Sequence, residues 1–408
     1  MNILLCLISD QHVPNLLSVH ALRPDRIVLL VSQRMSRRGT DFLEALRQGG
    51  LDYLASHDVV GLESEDSFPP VRKALQQAYA LHPTAQWSVN LTGGTKPMSI
   101  AAHEFFKALG GNLLYTSLSQ PNQLLNLSRD ERIECTHRLT ITEFLAGYGY
   151  LPRKASQDIA DDESRARRWW QAARSMALHS QDLQVLNFDP GATVPPESRN
   201  SERDKARKKA RDKGLSLPSA VYRPAHPDLA VDLAAAFELN PTASGEWIGK
   251  IDKYGVDFLL GRWLEVFLWG LLDRHGSTLN LDDVRLGFAA SHGDAQTFND
   301  FDISFMHRQG LCLLECKTGE QEHDTSFDIL YKLEAILSGI RALRTRSWLA
   351  VTTRRIYGPN GQLKPHIADR TALYNCTIIG PDAIAELARN PDDVALLQKT
   401  LFPVRSET

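Results

Sequence analysis

Asp302, Glu315 and Lys317 have the types and the spacing for phosphoryl chemistry. Glu315 and Lys317 lie in the apolar run Leu311-Cys312-Leu313-Leu314-Glu315-Cys316-Lys317, where a charged pair needs a physical reason. Read as a strand, the run puts Leu311, Leu313, Glu315 and Lys317 on one face and Cys312, Leu314 and Cys316 on the other. Ile303-Ser304-Phe305-Met306 reads as the preceding strand, with Arg308-Gln309-Gly310 as the turn. Asp302 opens that strand and can lie beside Glu315. Two carboxylates and one ammonium at a strand end make a site for a hard divalent cation, Mg2+ or Mn2+. The lysine can orient a water or stabilise phosphoryl charge. The competing reading is a surface hairpin in which Glu315 and Lys317 form a weak ion pair.

The elements that must position this set follow from the flanking pattern. Tyr254 to Arg274 reads as one helix, with Glu265 set among Trp263, Leu264, Val266, Phe267, Leu268 and Trp269. A carboxylate in so apolar a helix needs a partner. Strands are expected at Val284–Phe288, Asp302–Met306 and Leu311–Lys317, then a helix at Asp328–Leu343 and a strand at Trp348–Thr352. Asp302 followed by Glu315-x-Lys317 resembles the PD-(D/E)xK nuclease signature, with Phe301 where its proline would stand. The element order resembles the restriction-endonuclease-like core.

That resemblance implies metal-dependent phosphodiester hydrolysis. Asp302, Glu315 and the backbone carbonyl of Cys316 would bind the metal. Glu265 would be the helical acid, a ligand directly or through water, and Lys317 would position or deprotonate the attacking water. Lys332 either reaches substrate or snorkels. His323 and Asp324 are expected to be solvated. His292 and His307 have no zinc spacing and read as loop or turn residues.

Residues 1–145 alternate strand and helix. Strands are expected at Ile3–Ile8, Ile27–Val31, Val59–Leu62, Trp87–Leu91 and Leu113–Ser117. Helices are expected at Pro14–Leu22, Asp41–Gln48, Val71–Leu81 and Met98–Leu109. This is a doubly wound α/β pattern, which binds ligands at the carboxyl ends of its strands. Three of those ends are polar: Ser9-Asp10-Gln11-His12, Ser32-Gln33-Arg34 and Asn90-Leu91-Thr92-Gly93-Gly94-Thr95-Lys96-Pro97. In the last, the glycines let backbone approach a ligand, and Pro97 opens a helix whose free N–H groups favour anions. The spacing is neither that of a Walker A loop nor GxGxxG. A plain glycine-rich helix cap is the competing reading.

The loop resembles that of CARF domains, the sensor domains of type III CRISPR ancillary effectors. The resemblance implies a Rossmann-like fold that pairs as a homodimer around a cyclic oligoadenylate, with cyclic tetra-adenylate the expected ring. Ser9, Asp10 and Gln11 match the loop after the first strand. Thr92, Gly93, Gly94, Thr95 and Lys96 match the glycine-rich motif, and Ser32, Arg34 and Ser117 stand at other strand ends. Joined to a PD-(D/E)xK module, the whole resembles CARF–nuclease fusions: cyclic-oligoadenylate-activated DNases and RNases. A non-catalytic regulator that binds nucleic acid, and a nuclease needing no activator, are the alternatives.

The remainder bounds these readings. At 408 residues two or three domains are expected. A net charge of −3 leaves no global basic signature, so any nucleic-acid surface is local. No apolar run is long enough to span a membrane. The apolar start reads as a first strand and not a signal peptide. Five cysteines without a CxxC pair point to reduced cytoplasm. Residues 146–240 read as a linker and elaboration of the nuclease domain, 241–408 as its core. Within the middle, Asp162 to Leu178 reads as a helix, Asp189-Pro190-Gly191 and Pro195-Pro196 as loop, and Leu229–Leu239 as an apolar segment. Arg199 to Lys213 carries eight Lys/Arg interspersed with acids. It is either a phosphate-contacting stretch or a solvated helix face.

Overall fold

The computed structural model of the chain describes residues 1–117, 120–181, 200–218, 226–241, 247–293, 295, 299–318 and 345–403. The expected helix at 328–343, Lys332, His323, Asp324 and the loops at 189–191 and 195–196 lie outside the described residues.

The N-terminal sheet has seven strands: β1 (Asn2–Leu7), β2 (Arg26–Ser32), β3 (His57–Leu62), β4 (Gln86–Asn90), β5 (Asn112–Thr116), β6 (Gln123–Asn126) and β7 (Glu131–Glu134). Their spatial order is β3-β2-β1-β4-β5-β6-β7. The first five strands in the chain pair in parallel, and β5, β6 and β7 continue as an antiparallel meander. Four helices cover it: α1 (Val13–Leu22), α2 (Ser36–Gln48), α3 (Phe68–Leu81) and α4 (Lys96–Ala108). The alternation along β1 explains why both faces are covered. Ile3, Leu5 and Leu7 pack with residues of α3 and α4, while Leu4 and Cys6 pack with residues of α1 and α2. The chain winds from β1 outward to β2 and β3, then crosses back to β4 on the other side of β1, so the ends of β1 and β4 form the switch point. The sequence pattern did not announce β6 and β7. Each has four residues, and polar side chains alternate with few apolar ones.

The chain then crosses to the second domain. α5 (Ile141–Ala146) starts at an N-cap in which the Thr140 hydroxyl accepts from the Glu143 N–H at 3.1 Å. β8 (Tyr150–Pro152) joins the edge of the other sheet, antiparallel to β12. α6 (Ser156–Leu178) follows, then α7 (Asn200–Lys213) and α8 (Pro227–Ala236). β9 (Leu215–Pro218), β10 (Asn240–Pro241) and β11 (Trp247–Ile251) form a small sheet ordered β10-β11-β9. α9 (Lys253–Asp257) and α10 (Trp263–His275) precede β12 (Leu281–His292), β13 (Asn299–His307), β14 (Gly310–Lys317), β15 (Arg346–Val351) and β16 (Cys376–Ile379). The six-stranded order is β16-β15-β14-β13-β12-β8. β12, β13 and β14 pair antiparallel, and β14, β15 and β16 parallel. The protein is thus an α/β chain with a Rossmann-like first domain and a second domain built on a mixed sheet.

The expected single helix over 254–274 is broken. Between α9 and α10 one π-turn spans Phe258–Arg262, and within it Gly261 has φ 147° and ψ −23°. A π-turn shifts the helical phase by one residue and commonly marks a functional site.

Trp170, Ala173 and Met176 of α6 are buried, and the Trp170 indole donates to the Phe267 carbonyl of α10 at 3.2 Å. Gly270 provides the room: a Cβ there would collide with the indole ring. One continuous apolar core runs from Leu16 and Phe42 through Phe144, Tyr148 and Ile159 to Leu313 and Leu349. The two sheets therefore share a core through α5, with no solvated linker between them at this point.

Candidate functional site

The hairpin of β13 and β14 brings the acids together as the spacing predicts. Ile303 pairs with Leu314, so the antiparallel register places Asp302 opposite Glu315. The Cys316 N–H donates to Asp302 Oδ2 at 2.7 Å, which ties Asp302 to the strand that carries Glu315 and Lys317. Glu315 is 2% exposed. On the other side of β13, the register with β12 puts Gly287 opposite Asp302. Gly287 has φ 69°, and a Cβ there would sit 3.3 Å from an Arg262 guanidinium nitrogen and 3.5 Å from Lys154 Nζ.

Glu265 reaches this group from α10. Its side chain is 20% exposed, and Arg262 Nε lies 3.6 Å from its Oε2. Burial, then the neighbouring Asp302 carboxylate, push its carboxyl up to about 8. Arg262 and Lys317 oppose the shift, and Glu315 adds to it. Gly261 sets the approach of the helix to β14, since a Cβ there would collide with the Thr318 hydroxyl. Sequence reasoning missed the cations behind Glu265. Asp162 of α6 accepts from Lys154 Nζ at 2.5 Å, from Arg262 at 3.1 Å and from Arg165. Burial alone would raise the Asp162 carboxyl, but Lys154 and Arg262 hold it down at about 2. The only available signal was an acid followed by arginines in a tryptophan-rich helix, which also fits a solvated face.

The donor set suits a divalent cation. The acids Glu265, Asp302 and Glu315 lie within electrostatic reach of one another, and one of them is driven toward its neutral form by the others and by burial. Such an excess of negative charge is what a hard cation with oxygen ligands relieves.

The second site lies at the switch point. A cavity of about 390 Å³ is lined by Gln11, Thr92, Gly94, Lys96, Ser117 and Gln309, among others. Four of the residues matched to the CARF motif, Gln11, Thr92, Gly94 and Lys96, therefore converge on one space. Lys96 opens α4, and Thr95 is its N-cap. The glycines also answer to packing: a Cβ on Gly93 would collide with the Leu7 carbonyl, and one on Gly94 would sit 2.9 Å from Leu7 Cβ. Gly94 also has φ 76°, which favours glycine.

The other predicted ligand residues are engaged elsewhere. Ser32 donates to Glu65 Oε2 at 2.5 Å, Arg34 donates to Glu65 Oε1 at 2.9 Å, and the Thr95 hydroxyl donates to the Glu65 carbonyl at 2.5 Å. Glu65 organises this rim and was not singled out from the sequence, where it stands in a short acidic turn. Asp10 faces Arg38 at 3.5 Å and, with Arg34 and His292, lines a separate polar depression. Ser9 accepts from the Gln11 N–H at 3.2 Å.

Among the described residues, two histidine groups bring three ligand atoms within 4.8 Å of one another: His20/His137/Glu143 and His179/His226/Asp228. In the first, the stacked imidazoles donate to the two Glu143 oxygens at 2.7 and 2.8 Å, which accounts for a buried carboxylate without an ion. His292 and His307 are the last residues of β12 and β13, not loop residues, and His307 stacks on Phe402. The five cysteines are buried and free. Among the described residues, no helix is long and apolar enough to cross a membrane.

Residues 3–144 match the family profile of the Card1 CARF domain, and residues 252–396 match that of the Card1-like endonuclease domain. A search of curated protein sequences finds no match. Among solved structures, the chain resembles Can2 from Sulfobacillus thermosulfidooxidans in complex with cyclic tetra-adenylate, at 18% identity and TM-score 0.68, over 96% of this chain and 99% of that one. It also resembles protein VC1899 from Vibrio cholerae, at 16% identity and TM-score 0.72, over 96% and 97%. At these identities the likeness is one of fold. With a Card1 CARF domain around the cavity and a Card1-like endonuclease domain around the acid cluster, the chain belongs to the CARF-domain nucleases.

Proposed function

We propose that the chain is a metal-dependent endonuclease of type III CRISPR defence, switched on by a cyclic oligoadenylate held in the CARF cavity. The observation that carries the catalytic half is the acid cluster with Lys317, in which Glu265 is driven toward neutrality beside Asp302. Asp302, Glu315 and the Cys316 carbonyl would hold magnesium or manganese, with Glu265 joining directly or through water. When bound, such an ion supplies Lewis acidity at the scissile phosphate and lowers the pKa of a bound water. Lys317 orients the attacking water and meets the charge that develops on the phosphoryl oxygens. Arg262, braced by Asp162, keeps the Glu265 carboxyl aimed at the cluster. The homodimer would present two such cavities about one axis, which suits a ring of two-fold symmetry. Cyclic tetra-adenylate, the ring bound by Can2, is the expected activator. Single-stranded DNA or RNA is the expected substrate.

The test is cleavage of labelled single-stranded DNA, single-stranded RNA and supercoiled plasmid in manganese or magnesium, with and without cyclic tetra- or hexa-adenylate. Cleavage should appear only with a ring. Lys317→Ala should lower the rate on the order of 10²-fold or more. Lys96→Ala should lose activation while still binding metal. Equal cleavage without a ring would remove the sensor half of the reading. No cleavage in any condition would remove the catalytic half and leave a non-catalytic regulator.

A further inference from the structure

The turn between β13 and β14 is held in an unfavourable conformation. Arg308 and Gln309 have φ of 51° and 62°, and they are the two residues between the paired His307 and Gly310. A two-residue hairpin turn with both φ positive is the type that favours Asn-Gly. Neither residue here is asparagine or glycine, so the sequence sets side-chain chemistry at this turn above backbone ease.

The Gln309 side chain shows what that chemistry is. It belongs to the endonuclease domain, yet it is 2% exposed and fully engaged with the CARF domain. Its Oε1 accepts from the Leu139 N–H at 3.0 Å. Its Nε2 donates to Asn122 Oδ1 at 2.9 Å and to the His137 carbonyl at 2.9 Å. It also lines the cavity that holds Gln11, Thr92, Lys96 and Ser117. The other end of the same hairpin carries Asp302 and Glu315, about 20 Å away at 3.3 Å per residue.

We infer that Gln309 is a positioning residue of the nuclease, through which the ligand in the CARF cavity sets the placement of the catalytic hairpin. The ligand changes what the carboxamide and its partners at Asn122 and His137 can bond. Hydrogen bonding along β13 and β14 then carries a shift of the tip to Asp302 and Glu315. This rests on the reading that the cavity holds a cyclic oligoadenylate. A ligand can act on the hairpin only by favouring one of its placements, so the coupling is reciprocal: a cation at the acid cluster must change affinity for the ring by the same factor.

The test uses the full chain and two variants. Gln309→Gly relaxes the turn while deleting the carboxamide. Gln309→Asn tolerates the positive φ but shortens the reach. Melting curves verify folding. Affinity for cyclic tetra-adenylate is measured by titration with and without manganese, alongside the ring-dependent rise in cleavage. In wild type, manganese should change ring affinity by about 5-fold or more, the low end of typical coupling. In both variants that change should vanish, the ring-dependent rise in cleavage should be largely lost, and the ring should still bind. Wild type that binds or responds to no ring would remove the underlying reading. Wild type that is activated, with folded variants activated equally, would remove the role of Gln309 alone. Variants that melt far below wild type would also overturn it, because Gln309 would then be holding the domains together.

Discussion

Glu265 is the residue on which the chemistry of the acid cluster turns. Its carboxyl titrates near 8 in the folded protein, against an ordinary value of 4.5, because it is buried beside Asp302. The neutral form is favoured on folding, so this contribution to stability is present below pH 4.5 and is lost as pH rises through about 8. A divalent cation needs the ionised form, so binding at pH 7 should release close to one proton at each site. Calorimetric titration in two buffers of different ionisation enthalpy measures that number, and Glu265→Gln should abolish the release. Equal heats in both buffers for wild type would show that Glu265 is already ionised. Asp302, Glu315 and Lys317 could be read from the sequence, because charges inside an apolar period-two run are hard to explain otherwise. Glu65 and Asp162 could not, since each is an ordinary charge in a polar or amphipathic stretch that only the fold turns toward Arg34 or Lys154, and Arg262, though set in an apolar run, was not singled out.

Among the elements, the strands with continuous apolar runs were readable and the interruptions were not. β1, β2, β4, β5, β13 and β14 all lie within a few residues of their expected places. β6 and β7 are too short and polar to show a period, and β9, β10 and β11 are simply too short. The helix expected over 254–274 has the right composition throughout, so nothing in its periodicity revealed the π-turn. Gly261 was the only local clue. At φ 147°, and with Thr318 against the place of its missing side chain, it admits no other residue without strain. Gly261→Ala should therefore cost about 1–3 kcal/mol for the backbone alone. It should also displace Glu265 from the cluster. The expected result is a lowered melting temperature together with loss of cleavage and of the proton release, while the ring still binds. Unchanged cleavage in Gly261→Ala would mean that the turn does not set the position of Glu265. The glycines of the Thr92–Lys96 loop answer two demands at once, since Leu7 and Met98 leave little room for a Cβ on Gly94, which also lines the cavity.

For the whole molecule, the length of 408 residues pointed to more than one domain but not to how they are joined. The apolar core that contains Phe42 and Phe144 also contains Leu313 and Leu349, so the CARF sheet and the nuclease sheet lean on common side chains. Calorimetry of the full chain should give one cooperative transition covering both domains, and ring binding should raise all of it by mass action. Two resolved transitions, with only one responding to the ring, would contradict a shared core. Cutting after residue 145 should leave a fragment with an apolar face on α1, α2 and α5, which is expected to aggregate. The same core limits how such a chain can diversify. A CARF domain joined by a loose tether could be traded for another by recombination at any point in the tether. Here an exchange near residues 141–152 would strand Tyr148 against an unmatched surface and remove β8 from its sheet. Sensor and nuclease are thus inherited as one piece, and a lineage that changes its activator must do so by substitution around the cavity.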